Sequence, residues 1–452
     1  MATRRKQSFA PTRDIPEAYR RCDPMKPLEG DRLKHWYVDC SAERGAPHFV
    51  DRLLTAVVYA TDSRETALGR ALVSGHRGCG KSTELHALEG KLATAGYRVV
   101  YVDMLKEATP DQYDAEVVTI GVLRQVLQEL GTRGLPNAGK LIDGVREWFG
   151  SALMEKAKVA EGQLEVGGGA EVAAKLGGLL KLLADFRGYI KRTSQDKLTA
   201  TVEYRRYLKE LSEHLNGILV RASLQAQREE GTRNGVAVIV DGLDRIEDPE
   251  LQREVFIDYG EFLATLQVHK VLTVPISMVC SEHHRTVCGR FGVAQIHMLP
   301  SVQAEMDAGL AKLGDIVHKR CDASLFDQAA LDVVCRTCGG DIRHLMELAQ
   351  EALAQTDTGH VTPRDAEGAA NALSRSFALW LGEPHYSILT RYAERNAVPP
   401  VDDQESLDLL YSAAILCYCN GDGEPWYQAH PAVRRLSAFT DRVQRATGTQ
   451  ES

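Results

Sequence analysis

The strongest chemical signal in the sequence is a glycine-rich octapeptide that fits the pattern GxxxxGK[ST]. Glycines let the backbone curl so that its N–H groups point at a phosphate, which side chains would obstruct. We expect Lys81 to bridge the β- and γ-phosphates, Ser82 to supply a hydroxyl to Mg²⁺, and Thr83 to assist at the phosphates. The motif therefore predicts a nucleoside triphosphate site. Its residues are Gly75, His76, Arg77, Gly78, Cys79, Gly80, Lys81 and Ser82.

An apolar run that ends in aspartate predicts a second part of the same site. Residues 236–240 are consecutive apolar residues, typical of a strand buried on both faces, and Asp241 follows them. We expect Asp241 to hold Mg²⁺ through water. Asp244 is predicted to orient or deprotonate the attacking water. The alternative is that both aspartates are solvent-facing acids of a turn.

Strand and helix patterns flank both motifs in the order that a parallel sheet requires. Residues 71–74 predict a strand before the glycine-rich turn, residues 84–95 a helix after it, and residues 97–103 a second strand. This strand, helix, strand order is a βαβ unit, so helices should cover both faces of the sheet. Further strands are predicted at residues 236–240, 271–279 and 294–299.

Composition and helical periodicity divide the rest of the chain. The first residues are rich in proline and charge, which predicts an arm that packs on the body through Tyr19, Trp36 and Tyr37. No convincing strand pattern occurs between residues 107 and 233, and the pattern after the sheet is helical. The predicted boundaries are 1–45 for the N-terminal arm, 46–300 for the core with a helical insertion at about 107–233, 301–373 for the lid, and 374–452 for the C-terminal domain.

Helices followed by a strand, a turn and a strand predict a small winged-helix-like domain at the C-terminal end. The turn contains Asn420-Gly421 and Asp422-Gly423, pairs that favour hairpin turns. The predicted fold class is therefore α/β: a P-loop NTPase parallel sheet with a helical insertion, followed by an α-helical lid and a winged-helix-like domain.

The insertion contains a stretch, residues 165–186, that is first glycine-rich and then apolar. One interpretation is an amphipathic segment that binds a membrane or a partner. The other is a helical hairpin packed on the core, or a linker.

Length, composition and charge exclude several classes of protein. The 452 residues should hold about three folded units, since domains average roughly 150 residues. A hydrophobic fraction of 44% excludes a disordered chain, and a net charge of -8 argues against coating of nucleic acid or anionic membrane. No apolar run reaches the length of about 18 residues that spans a bilayer. The basic start lacks an apolar segment behind it, so we expect a cytoplasmic protein.

The cysteines do not predict a metal centre or a disulfide framework. Ten cysteines are too dilute for a disulfide scaffold in a chain of this length. Cys335 and Cys338, with His344 downstream, form a single CxxC pair without a partner at zinc-finger spacing. We therefore expect thiols, and no metal apart from Mg²⁺.

At this point the sequence resembles a family, the AAA+ and STAND P-loop NTPases, including NACHT-like members. The segments SGHRGCGKSTEL and VIVDGLDRIED carry the resemblance, which covers about residues 39–373. AAA+ proteins ordinarily place glutamate directly after the Mg²⁺-holding aspartate, whereas this chain has Gly242. The resemblance therefore implies ATP as the nucleotide and slow hydrolysis, with Asp244 in doubt as the base.

The resemblance also implies roles for residues outside the two motifs. Ser277, or alternatively Ser281, would contact the γ-phosphate at the end of the fourth strand. Arg290, with Arg285 in reserve, would be an arginine finger for a neighbouring subunit. Arg343, in a lid that resembles those of replication-initiator ATPases, would reach the nucleotide so that lid position depends on the γ-phosphate.

Three functions follow as hypotheses. The first is an ATP-driven switch whose nucleotide state controls self-association or an unknown protein effector, in the setting of bacterial stress or phage-defence signalling that the STAND resemblance implies. The second is a DNA-binding AAA+ ATPase of the initiator or transposition kind. The third is a protein that binds ATP as a structural ligand. A GTPase is disfavoured because no NKxD-type sequence is visible.

Overall fold

The computed structural model describes residues 8–62, 68–106, 109–113, 234–400 and 403–448, together with short pieces between 117 and 129 and between 212 and 232. Within these residues, no helix has the length and hydropathy to cross a bilayer. The described residues form a sheet core, a helical lid and a C-terminal domain, and the N-terminal arm packs against the first two.

A five-stranded parallel sheet forms the centre of the core, in the order β2-β3-β4-β1-β5. This architecture confirms the predicted α/β class. Alternate residues of β3 are buried in different hydrophobic clusters. Val238 and Val240 face one side of the sheet, and Ala237 and Ile239 face the other. The strands are β1 (Arg70–Gly75), β2 (Arg98–Asp103), β3 (Val236–Asp241), β4 (His269–Thr273) and β5 (Ile296–Leu299).

The prediction of a strand over residues 271–279 is wrong in its second half. β4 ends at Thr273, and a short helix covers Ile276–Cys280. Pro275 explains the change, since it has no N–H for the sheet and its fixed φ suits the start of a helix. The apolar side chains beyond the proline are therefore buried from a helix.

Helices cover both faces of the sheet. The helix after the glycine-rich turn begins at Lys81, three residues earlier than predicted, because Gly80 takes the left-handed conformation that ends the turn. The helices of the arm and core are α1 (Ile15–Arg21), α2 (Gly30–Trp36), α3 (Phe49–Asp62), α4 (Lys81–Thr94), α5 (Pro249–Arg253), α6 (Gly260–Ala264), α7 (Ile276–Cys280) and α8 (His284–Phe291).

Most of the predicted insertion, including the whole of residues 165–186, lies outside the described residues. Described positions on both sides of this gap, among them Val122, Val126 and Leu219, are buried in the same cluster as Val238 of β3. These ends of the insertion therefore pack on one face of the sheet.

The lid is a helical layer whose core includes residues of the arm. Ala18 of α1 and Cys22, which caps this helix, are fully buried in the lid cluster, and the Cys22 Sγ lies 3.7 Å from that of Cys321. Trp36 is buried as predicted, whereas Tyr19 is 42% exposed and accepts a hydrogen bond from the lid residue Gln350 at its carbonyl oxygen. The lid helices are α9 (Asp307–His318), α10 (Gln328–Thr337), α11 (Ile342–Gln355) and α12 (Pro363–Ala378).

The C-terminal domain contains helices followed by an antiparallel hairpin, in the predicted order. The hairpin turns at residues 420–424, and Tyr418 stacks on Trp426 across it. Its elements are α13 (Glu383–Leu389), α14 (Gln404–Tyr411), β6 (Ile415–Cys419), β7 (Pro425–Ala429), α15 (Pro431–Arg434) and α16 (Ser437–Gly448).

Candidate nucleotide-binding site

The glycine-rich turn connects the carboxyl end of β1 to the amino end of α4. Gly78 and Gly80 have φ values of 94° and 102°, in the region that favours glycine. A side chain at Gly78 would also collide with the carboxylate of Asp341 in the lid. The turn therefore aims the amino end of α4 at the edge of the sheet, the arrangement that holds phosphates in P-loops.

Lys81 is held inside this turn by three oxygen atoms. Its Nζ donates to the carbonyl oxygens of Gly75 and His76, at 2.8 and 2.7 Å, and lies 2.9 Å from Oδ2 of Asp244. Burial acts to lower the pKa of Lys81, but the neighbouring negative groups, led by Asp244, outweigh it and raise the pKa. Burial acts to raise the pKa of Asp244, but Lys81 outweighs it and lowers the pKa. Both groups are therefore charged and form a buried ion pair.

Asp241 stands at the end of β3 with both carboxylate oxygens occupied. The Tyr101 hydroxyl donates to Oδ2 at 2.8 Å, and the Gly242 N–H donates to Oδ1 at 2.8 Å. Ser82 forms a further hydrogen bond with this carboxylate. Burial, followed by the nearby charge of Asp244, raises the pKa of Asp241.

The oxygen atoms of Ser82 and Asp241 are a donor set that fits Mg²⁺. Mg²⁺ prefers oxygen ligands and is usually bound by one or two protein groups together with substrate phosphates and water. Within the described residues, no group of three or more His, Cys, Asp or Glu side chains could hold a metal alone. The site therefore suits a metal that arrives with a nucleotide.

A cleft of about 1410 Å³ opens over these residues. The turn, Asp241 and Asp244 line one part of it, and the arm and the lid line the rest. Arg343 lines it from α11, where its backbone N–H donates to the Gly78 carbonyl at 3.1 Å and its Nε is buried without a partner among the described residues. The structure therefore brings Arg343 to the predicted phosphate site.

The side chain of Thr83 is engaged by the arm. Its Oγ1 accepts a hydrogen bond from the backbone N–H of Leu28 at 3.2 Å. One residue further along α4, Glu84 accepts from the Tyr37 hydroxyl at 2.8 Å. The arm therefore crosses the start of α4 beside the cleft.

Ser277 and Ser281 are not among the described residues that line the cleft. Ser277 is buried in α7 and donates to Oε1 of Gln252 at 2.7 Å. Ser281 accepts from the His283 N–H at 3.3 Å. The structure therefore does not bring the predicted γ-phosphate contact to the site, because the strand ends before Pro275.

Arg290 and Arg285 lie on α8, also away from the cleft. The Arg290 side chain is 42% exposed and lies 3.7 Å from Glu261. Because neither arginine lines the cleft, the structure does not bring the predicted arginine finger to the site of its own chain.

Besides Tyr101, two further side chains that the motifs do not include shape the site. Thr273 is the last residue of β4, and its hydroxyl accepts from the Leu243 N–H at 2.9 Å, between the two aspartates in sequence. Arg44 is buried and donates to the carbonyl oxygens of Cys79, at 2.7 Å, and of Pro300. The end of a strand is a signal that could have identified Thr273, whereas nothing local in the sequence identifies Arg44.

The first half of the turn lies against the C-terminal domain. The fully buried imidazole of His76 lies 3.1 Å through Nδ1 from the Leu410 carbonyl oxygen, and its Nε2 accepts from the Cys417 N–H at 2.8 Å. Burial lowers the pKa of His76 to about 4, so the ring is neutral and Nδ1 carries the proton. Arg77 follows, with its guanidinium 5.9 Å from the Tyr411 ring centre and bonded to Glu247.

Comparisons with solved structures return matches at low similarity, including the following three. Cdc6p from Pyrobaculum aerophilum has 13% sequence identity and a TM-score of 0.39 over 90% of this chain and 99% of that chain. The Aeropyrum pernix Orc1 protein in complex with DNA has 13% identity and a TM-score of 0.37 over 95% and 97%. A Walker-type ATPase of Pyrococcus abyssi has 13% identity and a TM-score of 0.40 over 92% and 99%.

No family model and no curated protein sequence matches the chain. The assignment of the fold therefore rests on the sheet and the turn. The fold is that of a P-loop NTPase. A GxxxxGKS turn follows β1 of a parallel sheet. The adjacent strand β4 ends in Thr273, and β3, which pairs with β4, ends in Asp241.

Proposed function

We propose that the protein is an AAA+-type ATPase switch that binds ATP with Mg²⁺, hydrolyses it slowly and transmits its nucleotide state to the C-terminal domain. The state of that domain would in turn control self-association or a partner protein. The observation that carries the proposal is the imidazole of His76, a residue of the phosphate-binding turn that is hydrogen-bonded on both nitrogens to the C-terminal domain.

The His76 contacts make movement of the turn costly unless the C-terminal domain moves with it. Separation would leave the Cys417 N–H buried without its partner, at about 1–3 kcal/mol, whereas the Leu410 carbonyl would keep its bond from the Ala413 N–H. The backbone of the same residue accepts a hydrogen bond from Lys81. Lys81 therefore contacts the same residue that makes the contact with the C-terminal domain.

The ion pair between Lys81 and Asp244 defines the state before nucleotide binding. A triphosphate competes with Asp244 for Lys81, because both present negative oxygens to the same ammonium group. Loss of the pair would leave Asp244 able to orient or deprotonate water. Gly242, which has no side chain to share this work, is consistent with slow hydrolysis.

Ser82 and Asp241 would hold the Mg²⁺ that accompanies ATP. When bound, this ion neutralises charge on the phosphates. Arg343 would contact the phosphates from the lid, which makes lid position sensitive to the nucleotide. Arg290 would act only on a neighbouring subunit, so its role depends on self-association. A setting in bacterial stress or phage-defence signalling rests on the STAND resemblance of the two motifs alone.

We favour a protein partner over DNA, because three arginines of the C-terminal domain are already paired with acids, although Arg391 and Arg395 are exposed and lie over aromatic rings. The paired residues are Arg434, Arg435 and Arg442. Their acidic partners are Glu305, Glu367 and Glu383. The hairpin tip adds Asp422 and Glu424, which repel a phosphate backbone.

The proposal is tested by hydrogen–deuterium exchange and native mass, with and without ATP and Mg²⁺. We expect ATP to change amide protection in residues 410–419 and to change the assembly state of the wild type. Lys81→Ala should bind ATP at least about 100-fold more weakly, because several charge-assisted contacts are lost, and should show neither change.

His76→Ala separates binding from transmission. We expect it to retain ATP binding but to lose most of the ATP-dependent change in residues 410–419. His269→Ala is the matched control. Like His76, His269 is a buried neutral histidine that accepts a hydrogen bond from a backbone N–H, at 2.9 Å. It lies at the amino end of β4, on the edge of the sheet opposite the phosphate-binding turn. ATP binding by the wild type without any change in residues 410–419 would contradict the switch. Stimulation of turnover by double-stranded DNA would favour the DNA-binding alternative.

A further inference from the structure

The carboxylate that would hold Mg²⁺ is oriented by a tyrosine from the neighbouring strand. Tyr101 lies on β2, which pairs in parallel register with β3. Its hydroxyl donates to Oδ2 of Asp241 at 2.8 Å, while the Gly242 N–H donates to Oδ1. The two donors fix the plane of the carboxylate, so its remaining lone pairs point in set directions.

The ring of Tyr101 is itself held in place. The His86 imidazole stacks on it with ring centres 4.0 Å apart and an angle of 12° between the planes. His86 is four residues after Ser82 on α4, so both side chains lie on the same face of the helix. His86 is bonded in turn to Glu89 at 2.9 Å. One helix face therefore positions the Ser82 hydroxyl and supports the tyrosine that orients Asp241.

Tyr101 differs from a tyrosine that only fills a core. It is half-buried and lines the cleft together with Ser82 and Asp241. Tyr113, by contrast, is fully buried, and its hydroxyl has no partner among the described residues. Packing alone accounts for Tyr113, whereas the hydroxyl of Tyr101 meets the carboxylate at the metal position.

We propose that Tyr101, supported by His86, is a positioning residue that orients the Asp241 carboxylate for Mg²⁺. This proposal rests on the proposed ATP and Mg²⁺ function. Partners that hydrogen-bond a metal-binding carboxylate typically contribute 10–100-fold to metal affinity. Removal of the single hydroxyl should therefore weaken binding of the metal and leave the phosphate-binding turn intact.

The test compares Tyr101→Phe with Tyr113→Phe. Each variant loses one tyrosine hydroxyl from the sheet domain. Binding of Mn²⁺, as a stand-in for Mg²⁺, is measured by electron paramagnetic resonance in the presence of a non-hydrolysable ATP analogue. We expect Tyr101→Phe to bind Mn²⁺ about 10-fold more weakly than the wild type and Tyr113→Phe to bind it equally well. Affinity for the analogue in EDTA should be the same in all three proteins.

The outcomes separate this proposal from the proposed function. If the wild type binds neither the analogue nor Mn²⁺, the proposed function fails and Tyr101 has no role of this kind. If the wild type binds both and Tyr101→Phe binds Mn²⁺ as tightly, the positioning role alone is overturned. If Tyr101→Phe lowers the affinity for the analogue in EDTA as much as it lowers the affinity for Mn²⁺, the hydroxyl supports the fold of the site and the proposal is again overturned.

Discussion

The two halves of the phosphate-binding turn are held by different parts of the chain. His76 and Arg77, in the first half, lie against α14 and β6 of the C-terminal domain through a fully buried imidazole and a guanidinium. The second half, from Gly78 to Thr83, accepts hydrogen bonds from the backbone N–H groups of Arg343 and Leu28 and from the Arg44 guanidinium. The first half is therefore held through its own side chains, whereas the lid and the arm hold the second half by donating to its oxygen atoms.

This difference indicates which neighbour responds most directly to a nucleotide. Lys81 belongs to the second half, but its Nζ donates to carbonyl oxygens of the first half. A phosphate that draws Lys81 away from Gly75 and His76 therefore perturbs the half that is attached to the C-terminal domain. The backbone contacts of the lid and arm can be replaced by water at lower cost.

The largest effect should come from removing the charge that competes for Lys81. We expect Asp244→Asn to bind ATP about 10-fold more tightly, which corresponds to about 1.4 kcal/mol, because Lys81 becomes free for the phosphates. Hydrolysis should fall at least about 100-fold, the usual contribution of a general base. Calorimetric titration and single-turnover hydrolysis measure the two effects. Asp248→Asn, at an exposed helix cap nearby, should change neither. Unchanged turnover in Asp244→Asn would remove Asp244 from the chemistry.

An intermediate effect should appear in the pH dependence of stability. The folded-state pKa of His76 is lowered to about 4, below the ordinary value of about 6.5. Its contribution to stability is therefore complete above pH 6.5 and is lost as the pH falls from 6.5 towards 4, by about 3 kcal/mol in total. His76→Gln keeps one donor and one acceptor but does not titrate. We expect its free energy of unfolding, from urea titrations, to depend less steeply on pH in this range. An identical slope in both proteins would show that folding does not lower the pKa of His76.

The smallest effect should come from the contact between the arm and the second half of the turn. Thr83→Val removes the acceptor for the Leu28 N–H, worth about 1 kcal/mol. We expect about fivefold faster amide exchange at Leu28 and little change in stability or in ATP affinity. Thr94→Val, an exposed threonine of the same helix, is the matched control. A loss of ATP affinity in Thr83→Val alone would show that Thr83 also meets the phosphates, as its place in the motif predicts.

The sequence predicts the strands and the turn around the candidate site because its signals there are local. Glycine spacing before Lys81 and an apolar run before Asp241 depend only on adjacent residues, and both lie at the ends of the predicted strands. The strand over residues 271–279 was wrong in its second half for a related reason. An apolar run does not distinguish a buried strand from a buried helix, and Pro275 was the only mark of the boundary.

Contacts between distant segments are what the sequence does not reveal. His76 occupies a variable position of the motif, and its partners Leu410 and Cys417 follow more than 330 residues later. The hydroxyl of Tyr101 finds Asp241 across a strand pair whose members are 140 residues apart. Such pairs become visible only when the order of the strands and the packing of the domains are known.

The burial of α1 in the lid determines when this helix can pack during synthesis of the chain. Cys22 and Cys321 are neighbours in the lid core, yet 299 residues separate them. At a synthesis rate of about 5–20 residues per second, α1 leaves the ribosome roughly 15–60 s before Cys321 does. The apolar face of α1 is therefore without its native cover during that interval, and α1 can reach its place only after the lid residues around Cys321 have been made.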